Sequence, residues 1–155
     1  MHFHIQGLDP APFIPLYGLP DEALAQRGIE RVRADSCPGY PDRVELRDAE
    51  PGEALLLLNY EHLPQATPYR SRHAIFVREG AHTPFNAIDS VPAVLRRRLL
   101  SLRAFDARGY LRDADVVDGA QVEPLIERLF ANPAVDFIHA HFAKPGCFAA
   151  TVRRA

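Results

Sequence analysis

The stretch Leu99-Leu100-Ser101-Leu102-Arg103-Ala104-Phe105-Asp106-Ala107-Arg108-Gly109-Tyr110-Leu111-Arg112-Asp113-Ala114-Asp115-Val116 decides the fold class. Ala107-Arg108-Gly109 has the form of a three-residue hairpin loop with glycine at the left-handed position, where other side chains are strained. Folding about that loop sets Phe105 opposite Leu111, Arg103 opposite Asp113 and Ser101 opposite Asp115. The other face then pairs Leu102 with Ala114 and Leu100 with Val116. One face is apolar and the other sets charge against opposite charge, as cross-strand energetics favour. A one-residue slip would bring Leu102 against Asp113, so the expectation is an antiparallel hairpin in the unslipped register.

Downstream, Asp118 can cap a helix over residues 119–131, with Val122, Leu125, Ile126, Leu129 and Phe130 on one stripe. Pro124 falls near its first turn, where proline is tolerated, and Asn132-Pro133 ends it. Two last strands, 135–142 and 148–153, follow, joined by the turn tripeptide Lys144-Pro145-Gly146. Upstream, Glu53 to His62 contains four consecutive leucines and no alternation, as a strand covered on both faces would. A proline-containing loop, 63–72, leads to the apolar strand 73–78. Short strands are expected at 2–6, 29–34 and 43–46, with short helices at 20–28 and 92–98. Mainly antiparallel strands with two or three helices packed on them make an α+β domain, expected to be single over residues 1–155.

The chain has 155 residues, 47% hydrophobic and 25% charged, which is the composition of an ordinary globular domain. Its formal net charge is −2, so no global field draws it to nucleic acid or anionic lipid. All the basic residues but Lys144 are arginine. Two cysteines, Cys37 and Cys147, are too few for a disulfide framework. The run 54–58 is too short to span a bilayer, and Met1-His2-Phe3-His4-Ile5 lacks the basic-then-apolar order of a secretory signal. A cytoplasmic, bacterial protein is the expectation.

Three places carry possible chemistry. His139-Ala140-His141 puts two imidazoles on one strand face beside Phe137, a usable metal half-site. With a tight turn at Pro145-Gly146, His139 would face Val152 and His141 would face Ala150. His62 and His73 flank the 63–72 loop and could supply the other half if their strands pair. Satisfied sheet histidines are the plainer account, so no metal is favoured, and His62, His73, His139 and His141 are the metal candidates. Cys147, after Lys144, is a candidate nucleophile with a histidine as base, although the tight turn would set it on the face opposite the histidines. Asn59-Tyr60-Glu61-His62 ends the leucine strand, where polar groups often line a cleft and Glu61 or His62 could act as a base. Tyr69, Arg70 and Arg72 offer donors suited to a carboxylate or phosphate. Arg96-Arg97-Arg98 reads as a solvated helix end. No phosphate loop, dinucleotide fingerprint or nucleophile elbow is present.

Asp48-Ala49-Glu50-Pro51-Gly52, the run 55–60, Ile75-Phe76-Val77, the run 99–106 and Gly146-Cys147-Phe148 together resemble domain-of-unknown-function family 1203, over almost the whole chain. The resemblance implies a small, mainly bacterial single-domain protein and supplies no catalytic residues. His73-Ala74 and His141-Phe142 depart from the family pattern, which weakens a four-histidine metal site. Asn59-Tyr60, Arg103 to Asp106 and Gly146-Cys147-Phe148 fit it better.

The reading that follows is a domain that binds a small anionic molecule in a polar cleft, with or without catalysis. Its ligand-binding candidates are Asn59, Tyr69, Arg70, Arg72 and Lys144, and its catalytic candidates Glu61, His62, His139 and Cys147. A non-catalytic protein-interaction module is the alternative, and a histidine-based metal-dependent enzyme the second alternative. Neither nucleic acid nor membrane is an expected partner. The cofactor and the oligomeric state are unknown from sequence.

Overall fold

The computed structural model describes all 155 residues. Its strands are β1 (Phe3–Gln6), β2 (Glu30–Arg33), β3 (Ala54–Leu63), β4 (Ser71–Arg78), β5 (Asn86–Ile88), β6 (Leu99–Phe105), β7 (Leu111–Asp118), β8 (Phe137–Phe142) and β9 (Phe148–Arg154). Its α-helices are short: α1 (Asp21–Ala25), α2 (Ala93–Arg96) and α3 (Val122–Phe130). A six-stranded sheet runs β5-β1-β9-β8-β6-β7 and a three-stranded sheet runs β2-β3-β4, with antiparallel pairing throughout both. The α+β class therefore stands, with sheet dominant and divided in two.

Strand alternation sorts the large sheet into two faces. Leu100, Leu102 and Ala104 of β6 join Ile138, Ala140 and Phe142 of β8 beneath the apolar stripe of α3, and this forms the largest core. All five expected stripe residues of α3 are buried. Asp118 Oδ1 accepts from Ala120 N at 2.9 Å and starts a 3-10 turn, Gly119–Gln121, that leads into the helix. On the opposite face Phe105 and Phe137 pack with Leu63 from the end of β3. The leucines of β3 serve different clusters: Leu56 and Leu58 meet Phe13, Leu24 and Ile29, while Leu55 meets Ala34 and Ala49. The absence of alternation reflects this covering on both faces.

The β6–β7 hairpin forms about residues 107–109, with Gly109 at φ 84° and Phe105 opposite Leu111. Beyond that pair the expected register fails. Arg112 is an extra residue in β7, so Arg103 faces Ala114, Ser101 faces Val116, Leu102 faces Asp115 and Leu100 faces Val117. The cause lies in Asp106, whose carboxylate accepts from Arg108 N at 2.9 Å, Tyr110 N at 3.0 Å and Arg112 Nη2 at 2.5 Å. Drawing Arg112 back over the loop removes it from the ladder. Asp113 and Asp115 then pair with Arg128 of α3, at 3.6 and 2.8 Å, in place of Arg103 and Ser101.

The last hairpin is also shifted. Its turn occupies residues 143–146, closed by Phe142 N to Cys147 O at 2.9 Å, and a bulge at Ala149 follows. His139 thus faces Thr151 and His141 faces Phe148, not Val152 and Ala150. Residues 43–46 are no strand. Asp42 Oδ2 accepts from Glu45 N at 2.6 Å and bends the chain, which puts Leu46 at φ 50°.

Gly119 sits against α2, where a Cβ would lie 1.9 Å from the Leu95 carbonyl oxygen. Gly119→Ala is expected to lower unfolding free energy by about 1–3 kcal/mol, measured by urea denaturation. An unchanged midpoint and slope would show that this approach does not constrain the fold.

Candidate functional site

Arg43 follows the Asp42-centred bend and is carried inward to 1% exposure. Its Nε donates to Phe148 O at 2.8 Å, Nη1 to Pro41 O at 2.5 Å and Nη2 to Cys147 Sγ at 3.0 Å. None of these partners is a carboxylate. The neighbouring Asp42 is equally buried, but its oxygens accept from the backbone of Arg78 and Glu45. Burial lowers the Arg43 pKa to about 10, with Cys147 and Asp42 favouring the charge. A guanidinium cation is therefore held in the interior with two carbonyl oxygens and a sulfur as its hydrogen-bond partners and no carboxylate in direct contact, an arrangement that a directly bonded anion would stabilise.

A cavity of about 480 Å³ opens over this group. It is lined by Arg43, Arg97, Arg98, Lys144 and Cys147, by Leu57 of β3 and His73 to Phe76 of β4, and by Leu99, which is exposed. The Arg43 and Arg98 guanidinium carbons each lie 5.0 Å from the Phe142 ring centroid, so one aromatic ring organises both cations. Arg98 Nη2 also donates to Asp48 Oδ1 at 2.6 Å, and Arg97 Nη1 to Asp48 Oδ2 at 3.2 Å. Burial opposes ionisation of Asp48, but the Arg98 hydrogen bond and charge outweigh it, and the pKa is lowered. The arginine cluster that reads in sequence as a solvated helix end is thus anchored to a buried carboxylate and borders a cavity. Nothing in the local sequence signals this, because Asp48 and Arg98 are brought together only by the fold.

A second cluster lies between the sheets. The His62 ring centroid is 4.9 Å from His141 and 6.0 Å from His139, and it stacks on Phe148 at 5.5 Å. His141 Nδ1 donates to Gly146 O at 3.0 Å, whereas the buried Nδ1 atoms of His62 and His139 have no hydrogen-bond partner. Burial pushes His62 down to about 4, His141 to about 3 and His139 well below the ordinary range, and the nearby Arg103 charge adds to each. All three are neutral at pH 7. No group of three or more His, Cys, Asp or Glu side chains is arranged to hold a metal ion.

The residues singled out in sequence fall into separate places. His62 joins His139 and His141, but His73 does not meet His62 at the loop mouth: it faces Tyr60 across the ladder and lines the arginine cavity. Cys147 and Lys144 line that same cavity, away from the histidine trio. Asn59, Glu61 and Arg72 border a shallower recess, where Arg72 Nε donates to Asn59 Oδ1. Arg70 Nε pairs with Glu61 at 3.0 Å and holds the Glu61 pKa below the usual range. Tyr69 packs edge-on to Phe105 and Tyr110. The expected single cleft is therefore divided into the arginine cavity, the histidine cluster and the exposed recess. No helix is long and apolar enough to cross a membrane.

The model of the family described as "Protein of unknown function (DUF1203)" matches residues 39–154, a span that includes every residue lining the cavity. No curated protein and no solved structure matches the chain.

The histidine cluster sets a pH dependence. Folded pKa values below the unfolded value of 6.5 give stability that is complete above pH 6.5 and is lost as pH falls toward about 4 and 3. Each of the two deeply buried rings, His139 and His141, contributes a slope of roughly 1.4 kcal/mol per pH unit in that window. Denaturant unfolding at pH 7.5, 6.0 and 5.0 is expected to show falling stability, with a shallower fall in His139→Gln. Equal slopes in the two proteins would mean that His139 is not kept neutral by the fold.

Proposed function

The chain belongs to the DUF1203 family, and from that premise and the geometry of the Arg43 cavity we propose that it binds a small organic or inorganic anion there. The observation that carries the reading is the buried Arg43 cation, which has no carboxylate partner and stands on the wall of a cavity bordered by Arg97, Arg98 and Lys144. A carboxylate or phosphate in the cavity would supply the missing negative charge. Paired guanidinium forks suit the planar geometry of these groups, and a cavity with low-dielectric walls strengthens each contact. The walls are preformed, held by the Asp48 bridges and the Phe142 ring, so little ordering cost opposes binding. The reading assigns binding and no reaction. Lys144 belongs to this site. Arg70, Arg72 and Asn59, which already pair locally on exposed surface, do not.

Thermal unfolding at constant ionic strength tests this with phosphate, sulfate and hexanoate. At least one of these anions is expected to raise the Tm of the wild-type chain in a concentration-dependent way. The exposed-rim double variant Arg97→Ala/Lys144→Ala should weaken the apparent affinity by tenfold or more, and Arg70→Ala/Arg72→Ala should leave it unchanged. No stabilisation by any of the three anions, or a loss that follows Arg70 and Arg72, would refute the assignment.

A further inference from the structure

The cavity is lined by apolar side chains as well as cations, and it is too large for a bare oxyanion. At ~30 Å³ per water in the liquid, a volume of about 480 Å³ holds many waters beyond those a phosphate or sulfate would displace. The space left over is bounded by apolar side chains that the fold does not bury. Leu57 and Phe76 are only half-buried although they come from neighbouring strands of one sheet, and Leu99 is 45% exposed. Water against such surface is unfavourable, and covering it is worth about 25 cal/mol per Å². Among the cations, Arg43 and Arg98 are held together by the Phe142 ring.

We propose that the ligand is a carboxylic acid with a linear apolar body, its carboxylate held by the Arg43 and Arg98 guanidinium groups and its chain lying along Leu57, Phe76 and Leu99. This rests on the anion-binding reading above and adds the class of ligand. The carboxylate compensates the buried Arg43 charge, and the chain covers the apolar wall that an inorganic anion would leave to water. Specificity then has two independent sources: the head group selects for charge, and the wall selects for length. Cys147 reports on occupancy, because its sulfur lines the cavity beside Arg43 while Cys37 is exposed elsewhere.

Isothermal titration with butanoate, hexanoate, octanoate, 1-octanol and inorganic phosphate tests the class. Affinity is expected to rise by about fourfold per added methylene from butanoate to octanoate, with 1-octanol at least tenfold weaker than octanoate. In parallel, octanoate should slow iodoacetamide alkylation of Cys147, followed by mass spectrometry, with no effect on Cys37. Leu99→Ser, an uncharged change at an exposed position, should reduce the gain with chain length and leave phosphate binding in place. Affinity independent of chain length, with phosphate bound as well as octanoate, would overturn the proposed class and leave the anion reading intact. Octanol binding as tightly as octanoate would overturn both, as would binding of none of the five. Octanoate binding that leaves Cys147 alkylation unchanged would overturn the location.

Discussion

The Arg43 guanidinium ties the 41–43 segment to the start of β9, across 105 residues of sequence, through its bond to the Phe148 carbonyl. The same segment is joined to the small sheet, because Arg43 N donates to Phe76 O at 3.2 Å and Arg78 N donates to Asp42 Oδ1 at 2.7 Å. One side chain therefore bridges the two sheets where neither pairs with the other directly. Phe148 completes the joint. Its carbonyl receives Arg43, and its ring packs against Tyr60 and His62 of β3. A buried cation is an expensive fastener, since its desolvation is repaid only by good partners. Two carbonyls and the Cys147 sulfur satisfy its geometry and no carboxylate touches it, which is the physical reason for expecting an anion nearby.

The same constraint explains the electrostatics of the interior. The nearby acids make their hydrogen bonds elsewhere, Asp42 to backbone N–H groups and Asp48 to Arg97 and Arg98, so Asp42 acts on Arg43 through its charge alone and not by direct contact. On the other side of Phe148, Arg103 is half-buried with only Ser101 Oγ as a hydrogen-bond partner, at 3.3 Å, and burial lowers its pKa. The space between the sheets is thus electropositive, and the three histidines beside it stay neutral. A protonated imidazole there would add a further cation beside the Arg103 guanidinium. The histidine pair that suggests a metal half-site in the sequence is joined by His62 and packed against Phe148, with the His141–Gly146 bond fixing one ring.

Features encoded locally could be read from the sequence, and features encoded by distant contacts could not. The α3 stripe, the leucine strand, the Gly109 loop and the Phe105–Leu111 pair each depend on residues close in the chain. The register beyond that pair failed because a loop acid, Asp106, recruits Arg112, and periodicity carries no signal for a bulge. The last hairpin failed for a similar reason, at Ala149. The division into two sheets has no local signal, because which strands pair is decided by contacts far apart in the chain. Of the residues that line the Arg43 cavity, sequence reasoning singles out Lys144 and Cys147 and passes over the arginines beside them. Arg43 looked like part of a strand, and Arg97 and Arg98 looked like a solvated helix end. Their meaning comes from Asp48 and Phe142, both distant from Arg98 in the chain and on either side of it.

The most direct measurement is a crystal structure of the wild-type chain at neutral pH with octanoate at saturating concentration. The expected result is ligand density in the cavity over Arg43, with the carboxylate within hydrogen-bond distance of the Arg43 or Arg98 guanidinium and the chain against Leu57 and Phe76. A cavity without ligand density under those conditions, or ligand bound only in the recess by Asn59 and Arg72, would contradict the assignment of the site to the buried arginine.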